Sequence, residues 1–288
     1  MKSVALIGTG LMGKPMGINI LGKGFPLTVY NRTVSKTTEL AGAGARVAGS
    51  PLEAARSADV IITMVSNIEA VDSLLKGKEG ILAALGMGKI FIDMSTITPE
   101  ASKSFAALVK ATGAEMLDAP VSGSTNVAEK GELTIMVGGD PRVLDEVREV
   151  LQAVGKFIFH VGDNGSAVAL KLVLNHFVGG MTALLAEGLM LADKLGIDYS
   201  VFSNVLNSSV VKSPMYDIKS PKMITGDYAP QFPLRLLVKD LNYISRTAAA
   251  AGARMPVHEI VRNLFSAAGE NGYGEKDFSA IYEFLGKE

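Results

Sequence analysis

The stretch of residues 164–196 constrains the fold more than any other part of the sequence. It is mostly apolar, and Lys171 is the only charged residue between Asp163 and Glu187. A single helix over this range is about 45 Å long, which exceeds the width of a small domain. We therefore predict one long helix, over about residues 164–195, that joins two domains. Because an ammonium group in such an apolar wall loses hydration, Lys171 is the first functional candidate.

Apolar runs and helix-length segments alternate before this long helix. The runs are short, and the first one, which ends in glycine, suits a central strand buried on both faces of a parallel sheet. They cover residues 4–7, 27–30, 60–64, 90–92, 116–117, 133–137 and 157–161, and helical segments between them include 34–43, 99–112 and 141–154. This alternation predicts an α/β fold with a doubly wound sheet.

Only helical patterns follow residue 162. They cover residues 199–207, 234–251, 257–269 and 278–284, in addition to the long helix. Four prolines at positions 214, 221, 230 and 233 predict loops and short turns over residues 213–234. We therefore place the domain boundary near Gly162, with an α/β domain over 1–162 and an all-α domain over 163–288.

The composition excludes several classes of function. A net charge of −1 gives no basic excess for nucleic acid or an anionic membrane. The absence of cysteine excludes disulfides and thiolate sites, and three scattered histidines make a metal site an unfavoured interpretation. Glycines interrupt the first apolar run, which favours a strand over a signal peptide. The apolar run after Lys171 is 15 residues long before Glu187, too short for a membrane span, so we expect a cytoplasmic protein.

Three glycines between the first strand and the first helix form a dinucleotide-binding motif. Gly8, Gly10 and Gly13 match G-x-G-x-x-G, with Leu11 and Met12 between the last two. The first glycine permits a tight turn, the second lets the backbone approach a pyrophosphate, and the third allows close helix packing. The alternative is an ordinary glycine-rich turn. The flanking strand and helix favour the nucleotide, with phosphates at the helix N-terminus.

The end of the second strand selects between the two nicotinamide cofactors. NAD enzymes usually place a carboxylate there for the ribose 2′-hydroxyl, whereas this chain has Asn31, Arg32 and Thr33. Arg32 can bind a 2′-phosphate through charge-assisted hydrogen bonds, helped by its two neighbours. The motif therefore predicts NADP(H), with a solvated loop arginine as the alternative.

Four separated stretches together resemble the β-hydroxyacid dehydrogenase family, which includes the 3-hydroxyisobutyrate dehydrogenases. They are GTGLMGKPMG (8–17), DAPVSG (118–123), GSAVALKLVLN (165–175) and the Lys239-Asp240 pair within FPLRLLVKDL. The resemblance implies a Rossmann-like N-terminal domain, an all-α C-terminal domain and an active site in the cleft. Leu174, where many relatives have asparagine, and VSGS in place of VSGG resemble the glyoxylate/succinic semialdehyde reductase branch.

The resemblance also implies roles for individual residues. Lys171 is similar to the family's catalytic lysine, and its apolar surroundings agree, because they would lower its pKa towards neutrality. Asn175 lies four residues on, on the same helix face, where it can orient Lys171 or the substrate hydroxyl. By resemblance, the substrate contacts Thr96, Ser122, Gly123, Phe232 and Asp240, and the cofactor contacts Met64, Val65, Ser66, Thr96 and Lys239.

Structural roles remain open for several of these residues. Ser122 and Gly123 suit a simple turn, Phe232 suits the core, and Lys239 with Asp240 suits a solvated surface pair. His176 is one residue off the Lys171 face, so we expect it to pack elsewhere.

We expect an NADP(H)-dependent oxidoreductase that interconverts small aldehyde acids and hydroxyacids, most readily glyoxylate or succinic semialdehyde. The alternatives are an NADP-dependent dehydrogenase of 3-hydroxyisobutyrate or L-serine and, more remotely, a noncatalytic dinucleotide-binding module. The expected partner is a small carboxylate substrate, and the resemblance suggests a homodimer or homotetramer.

Overall fold

The computed structural model describes residues 1–287 and divides the chain into two compact units. The first is Met1–Lys171 and the second begins at Leu172, so the division lies within the long helix. The first unit contains a mostly parallel sheet with helices, and the second is helical. The predicted fold class is therefore confirmed.

Nine strands form one sheet in the first unit. All seven predicted strands are present, and the two that were not predicted are only two residues long, too short to form an apolar run. The strands are β1 Val4–Ile7, β2 Leu27–Tyr30, β3 Arg46–Val47, β4 Val60–Thr63, β5 Ile90–Asp93, β6 Glu115–Asp118, β7 Val121–Ser122, β8 Leu133–Gly138 and β9 Gly155–Gly162.

The sheet order places β1 between β2 and β4, inside the sheet. The order is β3-β2-β1-β4-β5-β6-β8-β7, with β9 paired to β8. Strands β2, β1, β4, β5 and β6 are parallel, and β8 runs antiparallel to β6 and β7. Alternate residues pack in cores on the two faces, such as Leu6 and Ile62 on one and Ala5 and Ile61 on the other. The carboxyl ends of the parallel strands therefore share one edge.

Seven helices connect the strands. They are α1 Gly13–Gly22, α2 Thr38–Gly42, α3 Pro51–Arg56, α4 Ile68–Lys76, α5 Pro99–Lys110, α6 Thr125–Glu129 and α7 Pro141–Gln152. The single helix predicted over 34–43 is wrong, since Val34–Thr37 forms a 3₁₀ turn before α2. In this turn the Thr9 hydroxyl donates to the Lys36 carbonyl, and the Thr37 hydroxyl donates to the Val34 carbonyl. Side chains thus bind two carbonyls that would accept backbone hydrogen bonds in a continuous helix.

The remaining helices begin with the long one. They are α8 Ser166–Lys194, α9 Tyr199–Ser208, α10 Pro214–Thr225, α11 Leu234–Ala250, α12 Pro256–Ala268 and α13 Ile281–Leu285, with short turns at Gly269–Tyr273 and Phe278–Ala280. The segment predicted as one helix over 278–284 is thus a 3₁₀ turn followed by α13. Helix α8 is long and apolar enough to cross a membrane, a test that core helices of soluble proteins also pass.

The prediction of loops and short turns over 213–234 is wrong, because α10 occupies half of this segment. Ser213 caps the helix and Pro214 takes its first position, where a missing N–H has no consequence. Pro221 lies inside the helix, at a cost of about 3 kcal/mol. Lys219 on α10 donates to buried Asp277 at 2.7 Å, and this distant partner helps to hold the helix in spite of the proline.

Candidate active site

The glycine loop after β1 is shaped by close packing at two positions and open at the third. Gly8 has a φ of +101°, and a Cβ there would lie 2.3 Å from the Met64 carbonyl oxygen. A Cβ at Gly13 would lie 1.9 Å from the Gly8 oxygen, whereas one at Gly10 would meet nothing within 4 Å. Thus Gly8 and Gly13 are required by packing, and Gly10 leaves its face open to an approaching ligand.

The N-terminus of α1 suits an anion. No side chain caps it, and its first turn contains no acidic residue. By contrast, Ser50, Asn67, Thr98 and Asp140 cap the helices α3, α4, α5 and α7. The first amides of α1 therefore remain for phosphate oxygens, beside exposed Leu11 and half-buried Met12. The open glycine and the uncapped helix together fit the pyrophosphate of a dinucleotide.

The end of β2 presents a cation beside this loop. The Asn31 side chain accepts a hydrogen bond from the Thr9 amide at 3.1 Å and donates to the Thr33 carbonyl at 2.9 Å. It thereby ties the glycine loop to the segment that carries Arg32. Within residues 1–287 the exposed Arg32 guanidinium makes no ion pair. Exposed Lys36 follows in the next turn; sequence analysis missed it, although a lysine four residues after an arginine is a visible signal.

The cofactor residues predicted on the neighbouring strands reach the same edge. Met64, Val65 and Ser66 follow β4, and half-buried Thr96 lies in the loop after β5. Since β1, β2, β4 and β5 are parallel, these residues lie at the same edge of the sheet as the glycine loop. In such sheets ligands bind outside the carboxyl ends, where the strand order reverses.

Buried Asp118 anchors the start of α8. Its carboxylate accepts hydrogen bonds from the Gly165 amide at 2.8 Å and the Val168 amide at 3.2 Å. A carboxylate at a helix N-terminus interacts favourably with the helix dipole. Sequence analysis quoted Asp118 as part of a motif without giving it a role. Its contacts fix the turn of α8 that leads directly to Lys171.

The two residues predicted to hold a substrate carboxylate lie at and beyond β7. Ser122 is half-buried in this strand, which pairs with β8. Gly123 has a φ of +138°, and a Cβ there would lie 2.8 Å from Leu133 and 2.9 Å from Val127. Packing and backbone conformation therefore require glycine at position 123, whatever it binds.

A polar cluster in the helical unit contains three of the predicted residues. The Asn175 amide nitrogen donates to Asp240 Oδ2 at 2.6 Å, and the Lys239 ammonium lies 3.0 Å from Asp240 Oδ1. Asn175 and Asp240 are 1% and 2% exposed. The alternative of a solvated surface pair is thus wrong for Asp240. On α8, Asn175 lies one turn after Lys171, which is half-buried.

Phe232 makes contacts through both its ring and its backbone amide. Its ring packs edge-on against Phe278 at 5.6 Å, and its amide donates to Asp277 at 3.1 Å. Burial raises the pKa of Asp277, but the Lys219 ammonium and the hydrogen bonds from Lys219 and Ser279 together keep the pKa below its usual value. As expected, His176 packs elsewhere, against the ring of His258 at 5.4 Å.

Comparison with known proteins assigns the family. Residues 3–162 match the profile of the NAD-binding domain of 6-phosphogluconate dehydrogenase. Residues 165–285 match the profile described as NAD-binding of NADP-dependent 3-hydroxyisobutyrate dehydrogenase. The chain belongs to the 3-hydroxyisobutyrate dehydrogenase family. Members of this family are oxidoreductases that act on CH–OH groups, and this one accordingly binds a nicotinamide dinucleotide.

Three relatives illustrate the range of this 3-hydroxyisobutyrate dehydrogenase family. Glyoxylate/succinic semialdehyde reductase 1 of Arabidopsis thaliana is 36% identical over 97% of this chain and 97% of its own length. The chloroplastic glyoxylate/succinic semialdehyde reductase 2 of the same plant is 35% identical over 98% of this chain and 79% of its own length. The structure of Mycobacterium tuberculosis 3-hydroxyisobutyrate dehydrogenase with L-serine is 30% identical, with a TM-score of 0.90 over 99% of both chains.

Proposed function

We propose that this protein is an NADPH-dependent reductase of small aldehyde acids, with glyoxylate or succinic semialdehyde as substrate. The exposed Arg32 guanidinium, unpaired within residues 1–287, carries the cofactor assignment, since it offers a bidentate partner to a 2′-phosphate. The substrate assignment is supported by Leu174 and by the names of the two Arabidopsis relatives.

Lys171 acts as the proton donor in this proposal. When bound, the reduced nicotinamide supplies the hydride that the carbonyl carbon receives. The negative charge that develops on the carbonyl oxygen is neutralised by a proton from the Lys171 ammonium, which becomes a neutral amine. Ser122 and the amide of Gly123 hold the substrate carboxylate, and Thr96 lies between substrate and cofactor. In the opposite direction the neutral amine accepts the hydroxyl proton.

The second candidate is an NADP-dependent dehydrogenase of 3-hydroxyisobutyrate or L-serine. The similarity to the Mycobacterium tuberculosis enzyme with L-serine favours it. The same site chemistry serves both candidates, because oxidation of a β-hydroxyacid also requires an acid–base group at the reacting oxygen.

A substrate panel separates the two candidates. We expect kcat/KM with NADPH to be highest for glyoxylate or succinic semialdehyde, and at least about tenfold lower for oxidation of 3-hydroxyisobutyrate or L-serine with NADP⁺. A tenfold difference corresponds to about 1.4 kcal/mol of transition-state binding. Initial rates over a concentration series of each compound measure this order. Turnover of 3-hydroxyisobutyrate without turnover of either aldehyde acid would reverse the assignment.

We also propose that a second copy of this chain packs on α8. Val173, Phe177, Leu184 and Leu191 are exposed at spacings of four, seven and seven residues, which aligns them in one stripe. Gly180 lies on the same stripe, and a Cβ there would meet nothing within 4 Å, so another helix backbone can approach closely.

Light scattering during gel filtration tests the helix-mediated oligomer. We expect a dimer or tetramer for the natural chain and a smaller species for Leu184→Glu, because a buried unpaired carboxylate disfavours association. Lys194→Ala, at an exposed position near the end of the same helix, is the matched control and keeps the oligomer. A natural chain that is monomeric at micromolar concentrations contradicts the proposal.

A further inference from the structure

Asp93 is a fully buried carboxyl group to which the proposed mechanism gives no task. It is the last residue of β5 and has no exposed surface. Its Oδ1 accepts hydrogen bonds from the Thr63 hydroxyl at 2.8 Å and from the Ser95 amide at 3.1 Å. Its Oδ2 is buried without a hydrogen-bond partner within residues 1–287. A buried carboxyl oxygen without a donor is a favourable place for a proton.

The ionisable group facing Asp93 is a second buried carboxyl group. Asp118 is its register partner on β6 and is also fully buried. Both oxygens of Asp118 accept backbone amide hydrogen bonds at the start of α8. On the β4 side Asp93 meets the neutral hydroxyl of Thr63, and on its own loop it meets Ser95. Asp93, unlike Asp118, therefore keeps one carboxyl oxygen without a hydrogen-bond donor within residues 1–287.

The surroundings of the Asp93 carboxyl group favour its protonated form. Burial raises the pKa of Asp93 to about 6; Asp118 adds to the rise, and the hydrogen bonds from Ser95 and Thr63 oppose it. Because Thr63 and Ser95 both donate to Oδ1, the proton is taken up on Oδ2.

Asp93 also connects the two loops assigned to the cofactor. Ser95, which donates to Asp93, accepts a hydrogen bond from the Val65 amide at 3.0 Å. Val65 belongs to the segment 64–66 after β4, and Ser95 directly precedes Thr96. The Asp93 carboxyl group is thus part of a hydrogen-bond chain, through Ser95 to Val65, that connects both loops to the end of β5.

We propose that Asp93 is a positioning residue whose ionised carboxylate holds the loops 64–66 and 95–96 in the geometry that binds the cofactor, and whose protonation loosens them. The cofactor role of these loops rests on the proposed function. An ionised acceptor forms stronger hydrogen bonds than a neutral carboxylic acid, so the loops are ordered above the midpoint and looser below it.

Amide resonances of the ligand-free protein test the titration without any assay of function. In ¹H–¹⁵N TROSY spectra between about pH 5 and pH 8, we expect the Ser95 and Val65 amides to shift with one common midpoint. Asp93→Asn, which keeps an oxygen acceptor but cannot ionise, removes this titration. Thr63→Val removes one donor to the carboxylate and moves the midpoint to higher pH. If these amides do not titrate in the natural chain, the inference is wrong, whatever the enzyme's substrate.

Thermal unfolding provides a second readout that does not depend on cofactor. Because the folded protein binds this proton more tightly than the unfolded chain, the stabilising contribution of Asp93 is lost as the pH rises through about 6. We therefore expect Asp93→Asn to gain more melting temperature relative to the natural chain at pH 8 than at pH 5. An equal difference at both pH values contradicts a titrating Asp93.

Cofactor binding then tests the positioning role. For each protein the measured quantity is the increase in the Kd for NADP⁺ from pH 7.5 to pH 5.5. We expect this increase to be about threefold to tenfold larger in the natural chain than in Asp93→Asn. Both proteins face the same ligand, so titration of the 2′-phosphate itself cancels in this comparison. Parallel Kd profiles combined with titrating amides would overturn the positioning role, while absence of NADP⁺ binding in both proteins would instead refute the proposed function.

Discussion

Replacing Lys171 with alanine is expected to lower kcat for aldehyde-acid reduction by about 10²- to 10⁴-fold, the usual contribution of a general acid. The negative charge that forms on the substrate oxygen would then have no ammonium group to neutralise it. Binding of NADPH should be nearly unchanged, because the phosphate and ribose contacts lie at the glycine loop and at Arg32. Initial rates and NADPH fluorescence titrations measure the two quantities separately.

Two further variants show whether the loss at Lys171 is specific. Lys171→Arg keeps the positive charge but holds its proton too firmly to transfer it, so most of the activity should still be lost. Lys194→Ala removes an exposed lysine from the same helix and should retain full turnover. Unchanged turnover in Lys171→Ala would exclude this residue as the proton donor.

Replacing Arg32 with alanine is expected to reduce the preference for NADPH over NADH by about tenfold to a hundredfold. This range corresponds to the roughly 1.5–3 kcal/mol that a hydrogen bond to a charged group contributes. Only the kcat/KM for NADPH should fall, since NADH has no 2′-phosphate for the guanidinium to bind. The ratio of kcat/KM for the two cofactors at saturating glyoxylate measures it.

The control for Arg32 is a surface arginine on helix α7. Arg148 on α7 pairs with Asp145 at 2.7 Å on the surface, so Arg148→Ala should leave the cofactor ratio as it is. If Arg32→Ala leaves the ratio unchanged as well, or if the natural chain uses NADH equally well, the assignment of NADP(H) is wrong.

The sequence predicted the elements whose signals are local. Seven strands contain runs of apolar residues, and those runs were visible within one or two residues of the true strand ends. Helix α10 was missed because Pro221 is a strong local signal, while the ion pair that supports the helix joins Lys219 to Asp277, 58 residues away. The two-residue strands β3 and β7 are too short to produce a pattern.

The candidate site shows the same limit. The glycine loop and Arg32 were found because their chemistry lies in a few consecutive residues. The hydrogen bond from Asn175 to Asp240 spans 65 residues, and the contact of Asp118 with Gly165 spans 47, so spacing in the sequence indicates neither. The chain of Asp93, Ser95 and Val65 was missed for the same reason, although an aspartate ending a buried strand is itself an unusual feature.

A single-turnover experiment tests the central claim most directly. The protein is first loaded with one equivalent of NADPH and then mixed rapidly with glyoxylate or succinic semialdehyde, and the nicotinamide absorbance is followed. We predict that the bound NADPH is oxidised in one exponential phase with at least one of these aldehyde acids, and about 10²- to 10⁴-fold more slowly in Lys171→Ala. Bound NADPH that neither aldehyde acid oxidises, in a protein that oxidises 3-hydroxyisobutyrate with NADP⁺, would contradict the account.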